Sequence, residues 1–520
     1  MVRATGITLD PTAGEPLYKQ IFDQIVERIH RGAFAPGHRL PPTRVLAEEL
    51  DTHRNTVVRA YGDLEGAGFV TSTVGRGTFV AKLRDARTTP RRIDTAPLPW
   101  ASLASNASSA EPLSRGRRFA RSDLGRDVIN LTRTQPSADL LPHDLIRRCL
   151  DHVLRTQGPR ALGYAPPDGI PRLRGLIAED LALQGVPAKA DDIVVTTGSQ
   201  QGLDLVARAL VNPGDAFLVD RTTYVGAINL LTTAGARLVP VPSDEHGPEL
   251  SFLSRLGRGA AKGLYLMPNC QNPTGACISA ERRRALIAFS HDAGVPLVED
   301  DYGADLNLDD TPPPPALRAL DGDVIYMGTF SKRLVPALRV GFLLCPPGLR
   351  PMVSALKQAM DLGTSVLLQY ALAEFLERGY LRAHVGRVQP EYRARRDALE
   401  SALRSHGPPS LRWQTPARGV FLWLPLPAPL EPEAVFEEAH RRGVLVSPAT
   451  MHTVDARPPA GVRLTFCSES EARVHEGGKR LGEAIRALLR QRGRDDRDAP
   501  TALEVVLAVR TTRARWSRAL

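Results

Sequence analysis

Apolar positions keep two different periods along the chain, and the change between them divides it. In residues 12–81, Leu17, Ile21, Ile25 and Ile29 recur every fourth position. That spacing lays one apolar stripe along a first helix, predicted to end near Gly32. Pro36 and Gly37 turn the chain into Leu40-Pro41-Pro42, and a short helix carrying Leu46, Ala47 and Leu50 follows, with Thr43 as its predicted cap. Asp51-Thr52-His53 makes a three-residue turn before a third helix, predicted from about Arg54 to Ala67 with Val57, Tyr61 and Leu64 inward and Gly68 as its stop. Phe69-Val70 and Thr78-Phe79-Val80 flank Gly75-Arg76-Gly77, which suits a tight hairpin.

From about Val128 to Leu489 the pattern changes to short apolar runs alternating with longer helical stretches. DDIVVTTG, DAFLVD, ARLVPVP, GLYLMP, VPLVEDD, VIYMGTF and VGFLLC read as buried strands; SQQGLDLVARALV and SAERRRALIAFSHDAG read as helices between them. This alternation predicts an α/β domain over residues 128–489 with a mostly parallel sheet, beside the small N-terminal domain. Residues 82–127, rich in Arg, Pro, Ser and Ala, keep no period and read as a flexible linker. Residues 490–520 read as a basic tail in which TALEVVLAVR can form one extra element.

Composition narrows the class. With 520 residues, 42% hydrophobic and 24% charged, the chain is neither mainly disordered nor collagenous, and its length calls for more than one domain. No apolar run approaches the ~18 residues of a membrane span and the opening has no signal-peptide core, so a cytoplasmic protein without a membrane partner is expected. Five scattered cysteines form no CxxC pair, so neither a zinc site nor a disulfide framework is indicated. The net charge of +10 is concentrated: residues 82–126 carry +6 and residues 480–520 carry +5. On charge alone such stretches read first as a solvated linker and tail, with weak attraction to a polyanion such as DNA as the alternative.

Helix, short helix, tight turn, helix and hairpin is the order of a winged helix-turn-helix, whose second helix of the pair enters the major groove amino end first. Arg54, Asn55 and Thr56 stand there, offering guanidinium, amide and hydroxyl groups to phosphates or base edges. Arg44 is placed to clamp a phosphate, and Arg76 with Gly77 forms the hairpin tip. The block resembles the GntR DNA-binding domain over about 65 residues: PG-x-x-LP, R-x-LA, R-x-TV-x-x-AY and G-x-GTFV all stand in order. Pro42-Thr43 departs from the serine pair common in that family. The resemblance implies a double-stranded DNA operator as partner.

The sharpest chemistry of the large domain lies in GTFSKRLVPALRVG. Lys332, one of seven lysines beside sixty arginines, follows a buried strand in a Ser/Thr-rich turn, where desolvation lowers an amine's pKa and raises its nucleophilicity. Thr329, Ser331 and Arg339 suit a phosphate. Asp300, in VEDDYGADL at a strand end, can hold a pyridine nitrogen protonated, and Tyr302 and Asn272 (in NCQNPTG) can reach a ring oxygen. In TTGSQQGLDL the backbone N–H groups of Ser199 and Gln200 open a helix and can cradle a phosphate. These motifs, over residues 128–489, resemble the fold-type I aminotransferases that use pyridoxal 5′-phosphate (PLP). The resemblance makes Lys332 the cofactor-bearing, catalytic lysine and Asp300 the partner of the pyridine nitrogen. It makes Tyr224 the aromatic over the ring and Arg463, in GVRLTFC, the grip on an amino-acid carboxylate. Two departures, the Cys-Gln before NPTG and Ala449 after Pro448, fall near the pocket.

The two halves together resemble the MocR family of bacterial transcriptional regulators. That resemblance implies a head-to-tail homodimer whose large domain binds PLP on Lys332 and senses an amino acid, an amine or PLP itself. The alternative is a working PLP-dependent aminotransferase with a DNA-binding appendage, since the catalytic lysine is present; the third is a scaffold for which PLP alone is the signal.

Overall fold

The computed structural model describes residues 5–73, 75–82, 98–119, 127–303, 305–455 and 458–498, without the side chains of 116–118 and 492–498. The chain forms two compact units, Met1–Pro99 and Trp100–Leu520.

In the first unit, α1 (Leu17–His30), α2 (Thr43–Glu49) and α3 (Arg54–Gly66) precede the antiparallel pair β1 (Val70–Thr73) and β2 (Gly77–Val80). Ile21, Ile25 and Ile29 bury the stripe of α1 against Val57, Ala60, Tyr61 and Leu64 of α3, while Leu17 stays half-buried. The Tyr61 hydroxyl donates to the Pro41 carbonyl (2.9 Å), pinning the strap between α1 and α2. Thr43 is the first residue of α2 and caps nothing; Pro42 is the N-cap, and its ring-fixed φ of −55° starts the helix without a side-chain bond. The core also takes in Ile7, ahead of residue 12, and Thr5 donates through its amide and hydroxyl to Glu49 (3.0 and 2.8 Å).

The second unit is built on seven strands: β3 (Ile193–Thr196), β4 (Ala216–Asp220), β5 (Arg237–Val241), β6 (Leu264–Leu266), β7 (Leu297–Asp301), β8 (Ile325–Thr329) and β9 (Gly341–Leu344). Each lies in one of the apolar runs read as strands. They are ordered β3-β9-β8-β7-β6-β4-β5; β9 is antiparallel to both its neighbours and every other pairing is parallel. Alternate residues feed separate cores on the two faces: Val194, Met327 and Leu343 join one, while Ile193, Val195, Tyr326 and Phe342 join the other. A sheet covered on both faces takes apolar residues on both, which is why these runs are largely continuous rather than alternating, the exceptions being exposed Arg237 on β5 and the acidic end of β7.

A smaller antiparallel sheet, β10 (Phe421–Pro425), β11 (Ser447–Pro448) and β12 (Gly461–Thr465), is ordered β10-β12-β11. Ile129–Asn130 pairs in parallel with Val444–Leu445 and so carries Thr132 and Thr134 towards the large sheet. In the stretch read as a linker, residues 100–119 form three short helices, Trp100–Leu103, Asn106–Ser109 and Glu111–Phe119, that belong to the second unit. The remaining linker residues 83–97 and 120–126 lie outside the described residues, as do 499–520 of the tail. The final helix runs Glu471–Asp498, past Arg490. All five cysteines are free. Among the described residues no helix is long and apolar enough to cross a membrane.

Candidate functional site

A cavity of about 240 Å³ lies at the C-terminal ends of the parallel strands, and every large-domain residue singled out from the sequence lines it: Ser199, Gln200, Tyr224, Asn272, Asp300, Tyr302, Thr329, Ser331, Lys332, Arg339 and Arg463. It also takes in Thr132, Thr134, Val225, Met267 and Phe421, which the sequence reading did not find. A larger pocket of about 400 Å³, lined by Asp220, Gln271 and Trp423 among others, lies on the far side of the Gln271-Asn272 segment and holds no lysine.

Strand alternation selects the carboxylate. Of the three acids ending β7, Glu299 accepts the amides of Leu317 and Arg318 (3.0 and 2.8 Å), and Asp301 accepts from Asn269 Nδ2 and the Tyr326 hydroxyl (2.8 and 2.9 Å). Both are consumed by structure on one face. Asp300 points the other way, into the cavity. Its Oδ2 accepts from the Tyr265 hydroxyl (2.7 Å), while its buried Oδ1 has no partner. Burial pushes the Asp300 carboxyl up to about 7, against the lowering effect of Tyr265.

Lys332 leaves the end of β8 and donates Nζ to the hydroxyl and carbonyl oxygens of Thr134 (2.7 and 2.8 Å). Burial is the main cause that brings its amine down to about 8; the Arg463 and Arg339 cations act in the same direction, Cys467 and Asp300 oppose them. Thr134 has no motif around it, and only the fold brings it to the lysine.

The anion cup stands at the amino end of the helix Ser199–Leu210. Thr329 Oγ1 donates to Ser331 Oγ (3.1 Å) and accepts the Ser331 amide (3.2 Å), while Arg339 lies 3.5 Å from Ser331 Oγ and donates to the Thr197 carbonyl (3.3 Å). Two glycines permit this crowding. A Cβ on Gly198 (φ +78°) would stand 2.6 Å from Arg339 Nη2, and one on Gly341 would stand 2.8 Å from the Gly198 carbonyl carbon and the Ser199 nitrogen.

Tyr224 caps the helix Val225–Thr233, and its hydroxyl donates to Gln200 Oε1 (3.2 Å). The Tyr302 hydroxyl donates to Cys270 Sγ (3.0 Å), so in this state it is turned to the thiol rather than held for a ring oxygen. Arg463, on β12, is buried; its guanidinium donates to Asn272 Oδ1 (3.1 Å) and the Thr132 carbonyl (3.0 Å), lies 4.9 Å from the centre of the Phe421 ring, and leaves Nε unpartnered. No carboxylate pairs with it among the described residues, and burial lowers it to about 10.

In the first unit Arg54 and Asn55 open α3 exposed, Thr56 is half-buried beside them, and Arg44 is exposed at the second position of α2. Arg76 is exposed at the hairpin tip, and Gly77 (φ +115°) lets the Arg39 side chain cross it, where a Cβ would meet Nε at 2.9 Å.

The chain matches two family descriptions: bacterial regulatory proteins of the gntR family over residues 17–80, and aminotransferase class I and II over residues 126–481. It is 33% identical over 491 residues to the probable rhizopine catabolism regulatory protein MocR of Rhizobium meliloti, covering 93% of this chain and 96% of that one. It is 31% identical over 399 residues to the 2-aminoadipate transaminase of Thermus thermophilus, covering 76% of this chain and 99% of the transaminase. Among solved structures, LysN, the α-aminoadipate aminotransferase of Thermus thermophilus in complex with N-(5′-phosphopyridoxyl)-L-leucine, superposes with a TM-score of 0.69 at 30% identity, covering 76% of this chain and all of that one. With a helix-turn-helix unit and an aminotransferase unit in one chain, and a regulator matching both along almost its full length, this protein belongs to the MocR-type family of GntR DNA-binding regulators fused to an aminotransferase class I and II domain.

Proposed function

We propose that the large domain holds PLP through Lys332 and senses an amino acid, and that its occupancy sets how the helix-turn-helix unit binds a DNA operator. The observation that carries this is the set of unpartnered groups around one cavity: a buried carboxyl oxygen on Asp300 and a buried, uncompensated Arg463 face a lysine brought down to about 8. A buried polar atom or charge without a partner is costly, and a site that keeps one of each is suited to a ligand that supplies both counterparts.

The residues fit that cofactor. Asp300 Oδ1 would take the pyridine N–H, the helix amino end with Ser199, Gln200, Thr329, Ser331 and Arg339 would take the phosphate, and Tyr224 would cover the ring. PLP when bound supplies an electrophilic carbon at which one amine exchanges for another. Thr134 then receives the Lys332 amine whenever it is displaced, and Arg463 orients an incoming amino acid by its carboxylate. Arg44, Arg54, Asn55, Thr56, Arg76 and Gly77 form the DNA-facing surface. Leu162, Tyr164 and Leu362 are 70, 89 and 56% exposed; a Cβ on Gly363 would stand 3.5 and 3.6 Å from the carbonyl oxygens of Ala165 and Pro166, and Asp361 accepts from Gln201, the neighbour of Gln200 in the cup (2.7 Å). This apolar surface beside the cup supports a head-to-tail homodimer with the cavity near the interface. An effector changes DNA affinity only by the difference in its own affinity for two domain arrangements.

The test is the absorption spectrum of the full chain with added PLP beside Lys332→Ala. A long-wavelength band in the wild type that is absent from the variant is expected. No band in the wild type, or an equal band in both, contradicts the reading.

A further inference from the structure

We infer that Arg115 is the positioning residue through which a change in the cavity reaches the segment leading to the DNA-binding unit; the inference rests on the PLP reading above. The helix Glu111–Phe119 is fastened to two walls of the cavity at once.

The first wall runs through Tyr224 and Val225, which line the cavity and start the helix Val225–Thr233. Both Asn106–Ser109 and Glu111–Phe119 pack on that helix. The second wall runs through Arg463. Ser447 of β11 is its cross-strand partner on β12, and Ser447 Oγ bonds His452 Nε2 at 2.8 Å. His452 lies in the segment 449–453, and the carbonyls of Thr450 and Thr453 both accept from Arg115 Nη1, at 2.9 and 2.8 Å. The same segment is tied back to the first wall: the Thr223 amide donates to the His452 carbonyl (2.6 Å) and Thr453 Oγ1 donates to the Arg221 carbonyl (3.0 Å). Arg115 is itself oriented by Glu111, whose two oxygens accept from Nε and Nη2 (3.1 and 2.7 Å). Phe119 meets the edge of Phe436, ring centres 5.2 Å apart, and anchors the other end of the helix.

The Arg115 guanidinium thus bridges the linker helix to a loop that touches both the ring-covering and the carboxylate-gripping sides. That loop is also not fully satisfied in this arrangement. Thr223 Oγ1, Thr450 Oγ1 and His452 Nδ1 are buried without a hydrogen-bond partner. Buried polar groups are nearly always paired, so these three atoms leave the junction able to accept further hydrogen bonds. A shift of Tyr224 or Arg463 on ligand binding that moves the Thr450 and Thr453 carbonyls acts on the Arg115 guanidinium, which Glu111 holds from the helix side.

The test is hydrogen–deuterium exchange of the full chain, without and with PLP, in the wild type, Arg115→Ala and Glu111→Gln, with the absorption band recorded on the same samples. In the wild type PLP is expected to change exchange in residues 98–119 by about tenfold, the scale of a local opening equilibrium displaced by ligand. In Arg115→Ala the band persists and the response of residues 98–119 falls to less than about twofold, while the strands of the large sheet stay as protected as before. Glu111→Gln, which leaves the loop contacts in place but frees the guanidinium, gives an intermediate response and serves if the alanine variant does not fold. An equal linker response in wild type and Arg115→Ala overturns the inference, as does a wild-type linker that ignores PLP although the band forms. Absence of the band in the wild type overturns the PLP reading instead, and this inference with it.

Discussion

Removing Arg463 offers a quantitative test of what the cavity recognises. Its guanidinium, ordinarily at 12.5, is brought down to about 10 by burial. That difference corresponds to about 3 kcal/mol of burial cost that the fold carries while no anion is bound. A carboxylate at Arg463 supplies the missing counter-charge in a dry setting, where truncating one member of a buried charge pair costs about 2–5 kcal/mol. At 1.4 kcal/mol per tenfold, Arg463→Ala is expected to weaken a carboxylate-bearing effector by about 30-fold or more. The control is chemical: the same titration with the amine that lacks the carboxylate, such as isoamylamine against leucine, has nothing to lose at this position. Both are followed by the change they cause in the PLP absorption band. The expected result is a large loss for the amino acid with a change under about threefold for the amine. Equal losses for the two would make Arg463 a structural residue, acting through Asn272 and Thr132, and would refute its role as a carboxylate grip.

Other substitutions report on separate parts of the account. Arg54→Ala is expected to weaken duplex binding by about 1–3 kcal/mol, measured by fluorescence polarisation on a duplex selected from a random pool, and to leave the PLP band unchanged. Loss of both would mean a folding defect rather than a lost contact. Asp300→Asn tests the sign of the buried carboxyl's effect. In the ligand-free fold Asp300 keeps its proton up to about 7, whereas the unfolded chain releases it near 3.8, so the folded state loses stability as pH rises between these values and carries the full penalty above about 7. The variant should therefore melt higher than the wild type at pH 8 and match it near pH 4, while binding PLP more weakly; a lower melting point at pH 8 would contradict the assignment. Gly198→Ala pushes a methyl group into the Arg339 guanidinium from a backbone at φ +78° and should weaken PLP binding by about tenfold or more, read by fluorescence quenching.

The sequence carried most of the central sheet and the motif half of the site. All seven large-sheet strands were legible because a sheet covered on both faces favours near-continuous apolar runs. Lys332, Asp300 and the cup residues were legible because each sits at a strand end in a distinctive turn. What escaped has physical reasons. Thr134 holds the lysine through its carbonyl and hydroxyl, groups that leave no signature in a sequence. Tyr265 reads as one more apolar strand residue, and only the pairing of β6 with β7 brings its hydroxyl to Asp300. The helices at 100–119 are too short to establish a period, and their order comes from contacts such as Arg115 with residues more than three hundred positions away. Thr43 looked like a cap because threonine often is one, but a proline already occupies that position. Ile7 is a single apolar residue outside any periodic run, so its burial in the first unit had no pattern to announce it.

The most direct test of the central claim joins both units in one experiment. Duplex affinity of the full chain is measured with PLP present, before and after adding an amino acid that alters the absorption band, and repeated with Lys332→Ala. The account predicts that operator affinity shifts with the band in the wild type, by about 5- to 150-fold for a coupling of about 1–3 kcal/mol, and does not shift in the variant. An amino acid that changes the band fully while duplex affinity stays constant would contradict it, leaving DNA binding and cavity chemistry as independent properties of one chain.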